Sequence, residues 1–314
     1  MGNPLTSAQF VKLLVADQKE VTEGGFDELP SMIPSFYKML PSDSAWEEFY
    51  SVGSLPDVPE FTGKLEYLGI APGYTYRIEP KEFAGAIQIE RKFLDDNKYP
   101  VLRDRARSLG DSAARVREKY GVRTFGYAFS SSFDFLYSEE GVSLCSSSHS
   151  TKSGTSTTYG FDNSGTTAIS KTALGATRIL MRQFRNDISE RIVIEPDMIV
   201  VPDAKFDETC EAVGYMPETG ASSQLDPDSA ENTINSQYRR FKVVAYPRLD
   251  DYDTNNWFMV DSKLMKKHLM WIDRVPREVN TTVDFETFYA KTSIYFRIGY
   301  GWNEWRWCYG HVVS

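Results

Sequence analysis

Three histidines, three cysteines and 44 carboxylates are the side chains with chemistry to offer, and their spacing carries little catalytic pattern. His149 follows Cys145 by four residues, a separation at which a thiol and its base could act as a nucleophilic pair. A loop histidine that makes a hydrogen bond is the simpler expectation. Glu139–Glu140 is a carboxylate pair of the kind a glycosidase uses as acid and base, but pairs arise by chance in so acidic a chain. Asp251, Asp253 and Asn255 match the first half of a calcium-binding loop. Asn256 stands where the loop needs Gly and Ser262 where it needs Glu, so the stretch reads as a polar turn.

No phosphate-binding loop precedes Lys171–Thr172 or Lys291–Thr292. Gly299–Tyr300–Gly301 runs into Trp302 and Asn303 and is no dinucleotide fingerprint. His149, His268 and His311 are too dispersed for a local metal signature, and Cys145, Cys210 and Cys308 form no CxxC pair. Catalytic residues, cofactor and metal are therefore all expected to be absent. His268, beside Lys266 and Lys267, is expected at the surface.

The elements around these residues look built for contact. Residues 5–21 read as an amphipathic helix on which Phe10, Leu13 and Leu14 would anchor. Residues 22–60 carry Gly24–Gly25 and five prolines and read as an extended arm, with a short helix near 43–50. Residues 64–94 read as a hairpin: a run over 64–70, a turn at Pro72–Gly73, and alternating strands over 74–78 and 86–91. Both its faces are partly polar, so it would not bury itself alone.

Residues 100–129 read as a long helix opened by Pro100. Leu102, Ala106, Leu109, Ala113, Val116 and Tyr120 recur at steps of 4, 3, 4, 3 and 4, a narrow apolar stripe on an otherwise basic rod with Gly110 as a tolerable weak point. In 143–167, 14 of 25 residues are Ser or Thr, the composition of a loop. A helix near 168–188, strands at 192–194, 198–201, 241–246 and 257–260, a polar loop over 214–236, a helix over 262–271 and aromatic-rich final strands complete an α+β pattern with no βαβα rhythm.

The chain has 314 residues, 41% hydrophobic and 14% aromatic, enough for a large core without disulfides. No run approaches a membrane span, and Met1–Pro4 has no signal-peptide character; the three cysteines, far apart and odd in number, point to a reducing compartment. Net charge is −9, which argues against wrapping nucleic acid over the whole surface. Yet residues 91–123 hold ten Lys/Arg against five acids, while 187–231 hold twelve acids against Arg191 and Lys205. Opposed blocks of this kind can steer one copy onto another.

Several segments, in order, resemble phage major capsid proteins of the HK97-like fold, and within them the Mu-like major head subunits. They are Thr6–Leu14, Phe49–Pro59 (FYSVGSLPDVP), Glu82–Asp96 (EFAGAIQIERKFLDD), the helix from Tyr99, Gly141–His149 (GVSLCSSSH), Asn256–Val260 (NWFMV) and Tyr295–His311 with its WRWCYGH. The resemblance implies an N-terminal arm over 1–60, an E-loop hairpin over 61–96, and a P-domain with a long spine helix and antiparallel sheet over 97–164 and 276–314. An A-domain would span 165–275. It implies E-loop contacts between subunits through Lys64, Glu66, Tyr67, Tyr74, Tyr76 and Arg77. A basic stretch of Arg103, Arg105, Arg107, Arg115 and Arg117 would face a neighbour or DNA.

The implied function is a non-enzymatic shell protein, assembled in the host cytoplasm into virion heads. Many copies would form hexamers and pentamers of an icosahedral shell around double-stranded DNA. A separate scaffold protein is implied because the arm begins within a few residues of Met1, together with a portal, a possible decoration protein and no membrane partner. Lys64 and Lys81 match no cross-linking pattern. The alternatives are an encapsulin-like nanocompartment and, in another class, an acid/base hydrolase using a carboxylate pair.

Overall fold

The protein is described from a computed structural model, over residues 7–65, 67–90, 99–132, 134–214, 237–284 and 289–313. Helices α1 (Ser7–Glu28) and α2 (Ile33–Phe36) lead into β1 (Lys38–Pro41), β2 (Glu47–Val52), β3 (Pro72–Ile78) and β4 (Lys81–Ile89). The long helix α3 (Tyr99–Gly126) follows, then β5 (Leu136–Ser138), β6 (Ser164–Gly165), α4 (Lys171–Met181), β7 (Met198–Val201) and α5 (Phe206–Val213). The chain ends with β8 (Lys242–Ala245), β9 (Trp257–Val260), α6 (Ser262–His268), β10 (Leu269–Val283), β11 (Ala290–Trp302) and β12 (Cys308–His311).

These strands form three sheets, ordered β1-β10-β11-β4, β6-β12-β9-β7-β8 and β2-β3-β5. In the first, the long antiparallel pair β10–β11 shifts register twice between Asp273 and Glu278. Pro276 lies in that interval and has no N–H to give a ladder, which is where a bulge is tolerated. Helix α3 lies across β4 and β11: Phe83 meets Tyr120 at 4.9 Å, and Gly85 leaves room for Leu109. In the second sheet every residue of β7, β9 and β12 is buried, with α4 capped by Ser170 and α6 by Asp261. One continuous hydrophobic core joins both sheets, with Trp257, Trp271 and Trp307 at 0% exposure.

Several expectations need correction. Helix α1 does not stop at Gly24–Gly25 but runs to Glu28. Its partner explains this: a side chain at Gly25 would sit 2.5 Å from the Arg107 carbonyl oxygen, and one at Gly110 of α3 would sit 2.1 Å from that of Thr22. Two glycines on facing surfaces bring the helices into backbone contact, so Gly110 is a crossing point. The side chains of Phe10, Leu13 and Leu14 lie outside the described residues, as does the polar loop over 215–236.

The segment near 43–50 contributes strand β2, not a helix. Residues 192–194 form no strand, and the helix begun at Ser262 ends at His268, where β10 starts. The hairpin is also re-registered. β3 pairs with β2, Val52 opposite Pro72 and Glu47 opposite Ile78, while β4 joins the other sheet beside β11. Pro72–Gly73 therefore opens a strand, and Gly73 is absent from the glycines with positive φ. Pro suits that place, the first residue of a strand.

Candidate assembly surfaces

The β2–β3 hairpin is fastened at its base. Ile78 and Tyr76 are buried in the chain's own core, at 0% and 4% exposure. The Thr75 N–H donates to Glu139 Oε2 at 2.9 Å, the Glu139 N–H donates back to the Thr75 carbonyl at 3.0 Å, and Lys152 Nζ donates to Glu139 at 2.7 Å. The bonds from Lys152 and Thr75 hold the Glu139 carboxyl below its ordinary pKa. The Tyr74 hydroxyl lies 2.8 Å from that of Ser150, and the Ser54 N–H reaches Asp187 Oδ1 at 2.9 Å. Arg77 pairs with Glu79 at 3.2 Å and stacks over Trp46. Tyr74, Tyr76 and Arg77, expected at a neighbour, are thus tied to their own subunit.

Beyond the base, the described residues between 53 and 71 form no further strand. Val58 is 87% exposed, Tyr67 99%, and Leu55, Phe61, Leu65 and Ile70 are all more than half exposed. Lys64 is exposed here too, and Glu66 lies outside the described residues. Large apolar side chains so exposed on one projecting segment mark an interaction site. The sequence already carried this signal as apolar residues scattered through a proline-rich stretch.

The residues with chemical potential are spent on structure. His149 and Glu140 are buried side by side, Nδ1 to Oε1 at 3.0 Å, with the imidazole stacked on Trp305 at 4.0 Å between centroids. His149 Nε2 meets Asn163 Oδ1 at 3.1 Å. Asn163, at 0% exposure, also accepts from the Ser146 N–H and donates to the carbonyls of Leu144 and Cys308. This network, missed in the sequence, pins the Ser/Thr-rich loop onto the C-terminal strand. Cys145 faces Cys308, Sγ to Sγ at 3.9 Å, and not His149.

Glu139 and Glu140 thus do not converge on one cleft: a cavity of about 350 Å³ between the hairpin base, the 150–153 loop and Glu304–Trp307 is lined by Glu140, Glu304 and His268 but not by Glu139. Burial alone would raise the Glu304 pKa, but Arg306 and His268 overcome it and hold the group low. His268 is half-buried, not a surface group, and bonds Asn303 at 2.8 Å; burial lowers its pKa. Asp253 Oδ1 accepts the N–H groups of Asn255 and Asn256, the polar turn expected there.

The basic residues of α3 divide into two sets. Arg103 pairs with Asp17 and Arg107 with Glu28, both on α1. Arg117 meets Asp273 at 3.1 Å and lies over Phe26 and Trp271. These three, expected to face a neighbour or DNA, clamp α1 and β10 onto the long helix of the same chain. Arg105 and Arg115 point outward, exposed. Among the described residues no helix is long and apolar enough to cross a membrane, and no group of three His, Cys, Asp or Glu is placed to hold a metal ion.

The chain matches the model of a family described as phage capsid protein over residues 73–310. Its fold is similar to the mature capsid subunit of bacteriophage PhiM1, with a TM-score of 0.58 and 11% identity over 91% of this chain and 88% of that one. It is similar to the capsid subunit of cyanophage Pam1, with a TM-score of 0.54 and 10% identity over 85% and 84%. The virus-like particle from Pyrococcus furiosus matches with a TM-score of 0.52 and 8% identity over 95% and 99%. No curated protein sequence matches the chain significantly. The long helix, hairpin, long-stranded sheet and second buried sheet form the HK97-like capsid fold. With its family match extending over more than half its length, the chain belongs to the phage capsid protein family.

Proposed function

We propose that the protein is the major head subunit of a tailed phage, assembling as hexamers and pentamers into a closed icosahedral shell that encloses double-stranded DNA in the virion. The observation that carries this reading is the hairpin: fixed at its base and exposing Leu55, Val58, Phe61, Leu65 and Tyr67 at its tip. Side chains of this size each contribute roughly 1.5–3 kcal/mol when removed from water. On the free subunit they cover nothing, and a neighbouring copy is the surface a repeated shell supplies. Residues 47–78 then act as the E-loop, residues 1–46 as the arm, α3 with the first sheet as the P-domain, and the second sheet with α4 and α5 as the A-domain. A separate scaffold, a portal and a possible decoration protein complete the assembly. The subunit is given no catalytic role: the Glu139–Glu140 pair and His149, His268 and His311 are engaged in hydrogen bonds within the fold. An encapsulin-like compartment would use the same fold around protein cargo, and the phage capsid family match favours the virus head.

The test replaces residues 54–70 by a short Gly-Ser turn. The subunit is expected to stay soluble and folded, because Tyr76 and Ile78 remain in the core, and to yield no closed shells by electron microscopy. Shells at normal yield would overturn the role given to the hairpin.

A further inference from the structure

Two thiols meet where the Ser/Thr-rich loop lies on the C-terminal strand. Cys145, 2% exposed, and Cys308, 0% exposed, stand Sγ to Sγ at 3.9 Å. The approach is framed by backbone on both sides. The Asn163 side-chain nitrogen donates to the carbonyls of Leu144 and Cys308, at 2.8 and 3.1 Å, so one amide stitches together the two segments that carry the sulfurs. Asn163 Oδ1 accepts the Ser146 N–H, and the Asn163 backbone carbonyl accepts the Gly310 N–H at 3.0 Å. The Cys145 N–H is fixed to the Ala128 carbonyl at 2.7 Å. Cys210, half-buried on α5, has no sulfur partner among the described residues.

The surroundings decide what the pair can do. A catalytic thiol needs a base, and the nearest histidine in sequence, His149, is turned to Glu140 and Asn163. A metal needs more ligands, and among the described residues no group of three His, Cys, Asp or Glu is placed to hold one. What is left is the chemistry of the two sulfurs with each other. They need about 1.9 Å more approach to reach bonding distance. A thiol is inert while it stays buried in apolar surroundings. Cys308 lies in β12, inside the second sheet, and burial pushes its thiol up. Cys145 is the more accessible member: Ser147 and Ser148, just along the loop, are exposed, so opening of the loop bares it first. No bulky group fits on Cys145 once the loop recloses, since even a Cβ at Gly310 would lie 2.8 Å from its sulfur.

We propose that Cys145 and Cys308 are a redox site, closed into an intrachain disulfide by a low-molecular-weight disulfide such as oxidised glutathione. The Cys145 thiolate, bared by loop opening, attacks one sulfur of the oxidant, and a first small thiol leaves. The Cys308 thiolate then attacks the Cys145 sulfur of the mixed disulfide, and a second small thiol leaves. Two protein thiols are oxidised, one small disulfide is reduced to two thiols, and the two protons go to the leaving thiolates. The bridge joins residues 163 apart and closes a ring that runs from β6 through β11. Long rings restrict the unfolded chain most. The bridge fastens the 143–167 loop covalently where Asn163 holds it by hydrogen bonds. The inference concerns a single subunit and does not rest on the shell reading.

The test uses the 314-residue chain carrying Cys210→Ser, in which the pair are the only thiols, folded and incubated with oxidised glutathione. Intact mass, non-reduced peptide maps and thermal melts are read. Expected are a loss of about 2 Da, one peptide pair joined at Cys145 and Cys308, and a Tm higher by about 5–10 °C that dithiothreitol reverses. Adding Cys145→Ala or Cys308→Ala is expected to abolish both the bridge and the rise in Tm, and either variant suffices if the other fails to fold. Thiols that stay free in the folded subunit, a chain that stops at the mixed disulfide, or a bridge that forms only in urea-unfolded chain would each overturn the proposal. So would a bridged subunit that melts no higher than the reduced one, because the fold would then not favour the closed pair.

Discussion

Adjacent glycines in α1 offer a sharp test of how the arm meets the long helix. Gly24 points to open space: an added Cβ meets nothing within 4 Å. Gly25 faces α3, and its Cβ would lie 2.5 Å from the Arg107 carbonyl oxygen. At Gly110, on the other side of the contact, a Cβ would lie 2.1 Å from the Thr22 carbonyl oxygen and 2.8 Å from the Phe26 nitrogen. These obstacles are backbone atoms, so no side-chain rotation relieves them, and α1 must withdraw by about 1 Å to reach ordinary contact distance. Ala is favoured over Gly in a helix interior by about 1 kcal/mol. Overpacking of this kind costs about 1–3 kcal/mol. Gly24→Ala should therefore stabilise the unassembled subunit by up to about 1 kcal/mol. Gly25→Ala and Gly110→Ala should give no such gain and should destabilise it by up to about 2 kcal/mol once the helix gain is offset. Urea midpoints at constant m-value give these differences, and hydrogen exchange in α1 shows whether the loss is local to the contact. A gain at Gly25 or Gly110 equal to that at Gly24 would refute the close helix packing.

Burial holds the His311 pKa down at about 4, against roughly 6.5 in an unfolded chain. Its Nδ1 accepts the Thr167 N–H at 3.2 Å, its Nε2 lies 2.8 Å from the Thr177 hydroxyl, and its ring stacks on Trp257, so a second proton has no place to go. Between these pKa values the unfolded chain binds the extra proton, so stability falls as pH falls; from pH 7 to 5 the loss is about 2 kcal/mol. His311→Gln should flatten that part of the urea-midpoint profile, and an unchanged slope would contradict the assignment. Asn163→Ala leaves the Leu144 and Cys308 carbonyls and the Ser146 N–H without their partner, at a cost of about 3–5 kcal/mol. The same variant should open the 143–167 loop to proteolysis, and a protease-resistant loop would argue against the network.

The long helix was legible because its stripe is local: every residue from Leu102 to Tyr120 needs only the next turn to declare a face. The narrow stripe understates its second half, where Glu118, Gly121, Val122 and Thr124 are buried as well because α2 and Tyr246 close over them. The hairpin was legible as a device and misplaced in register. Pro72–Gly73 is a strong local turn signal, but pairing depends on Glu47–Val52, whose alternate burial appears only once β3 lies beside it. Strand β10 was hidden by Pro276 and the charges of Asp273, Arg274, Arg277 and Glu278, which resemble a loop until Arg117 and Asp27 are brought up to meet them. The same nonlocality split the basic stretch. Sequence alone does not place Asp17 and Glu28 beside Arg103 and Arg107, and without them five arginines look equally free.

The central claim is that this subunit closes into a shell through its own hairpin. The most direct measurement is sedimentation velocity of the 314-residue chain, alone and co-expressed with the proposed scaffold protein, with the fast fraction viewed by electron microscopy. The account predicts capsomers of five and six copies and closed particles. A single species at 35.7 kDa throughout, with scaffold present, would contradict it.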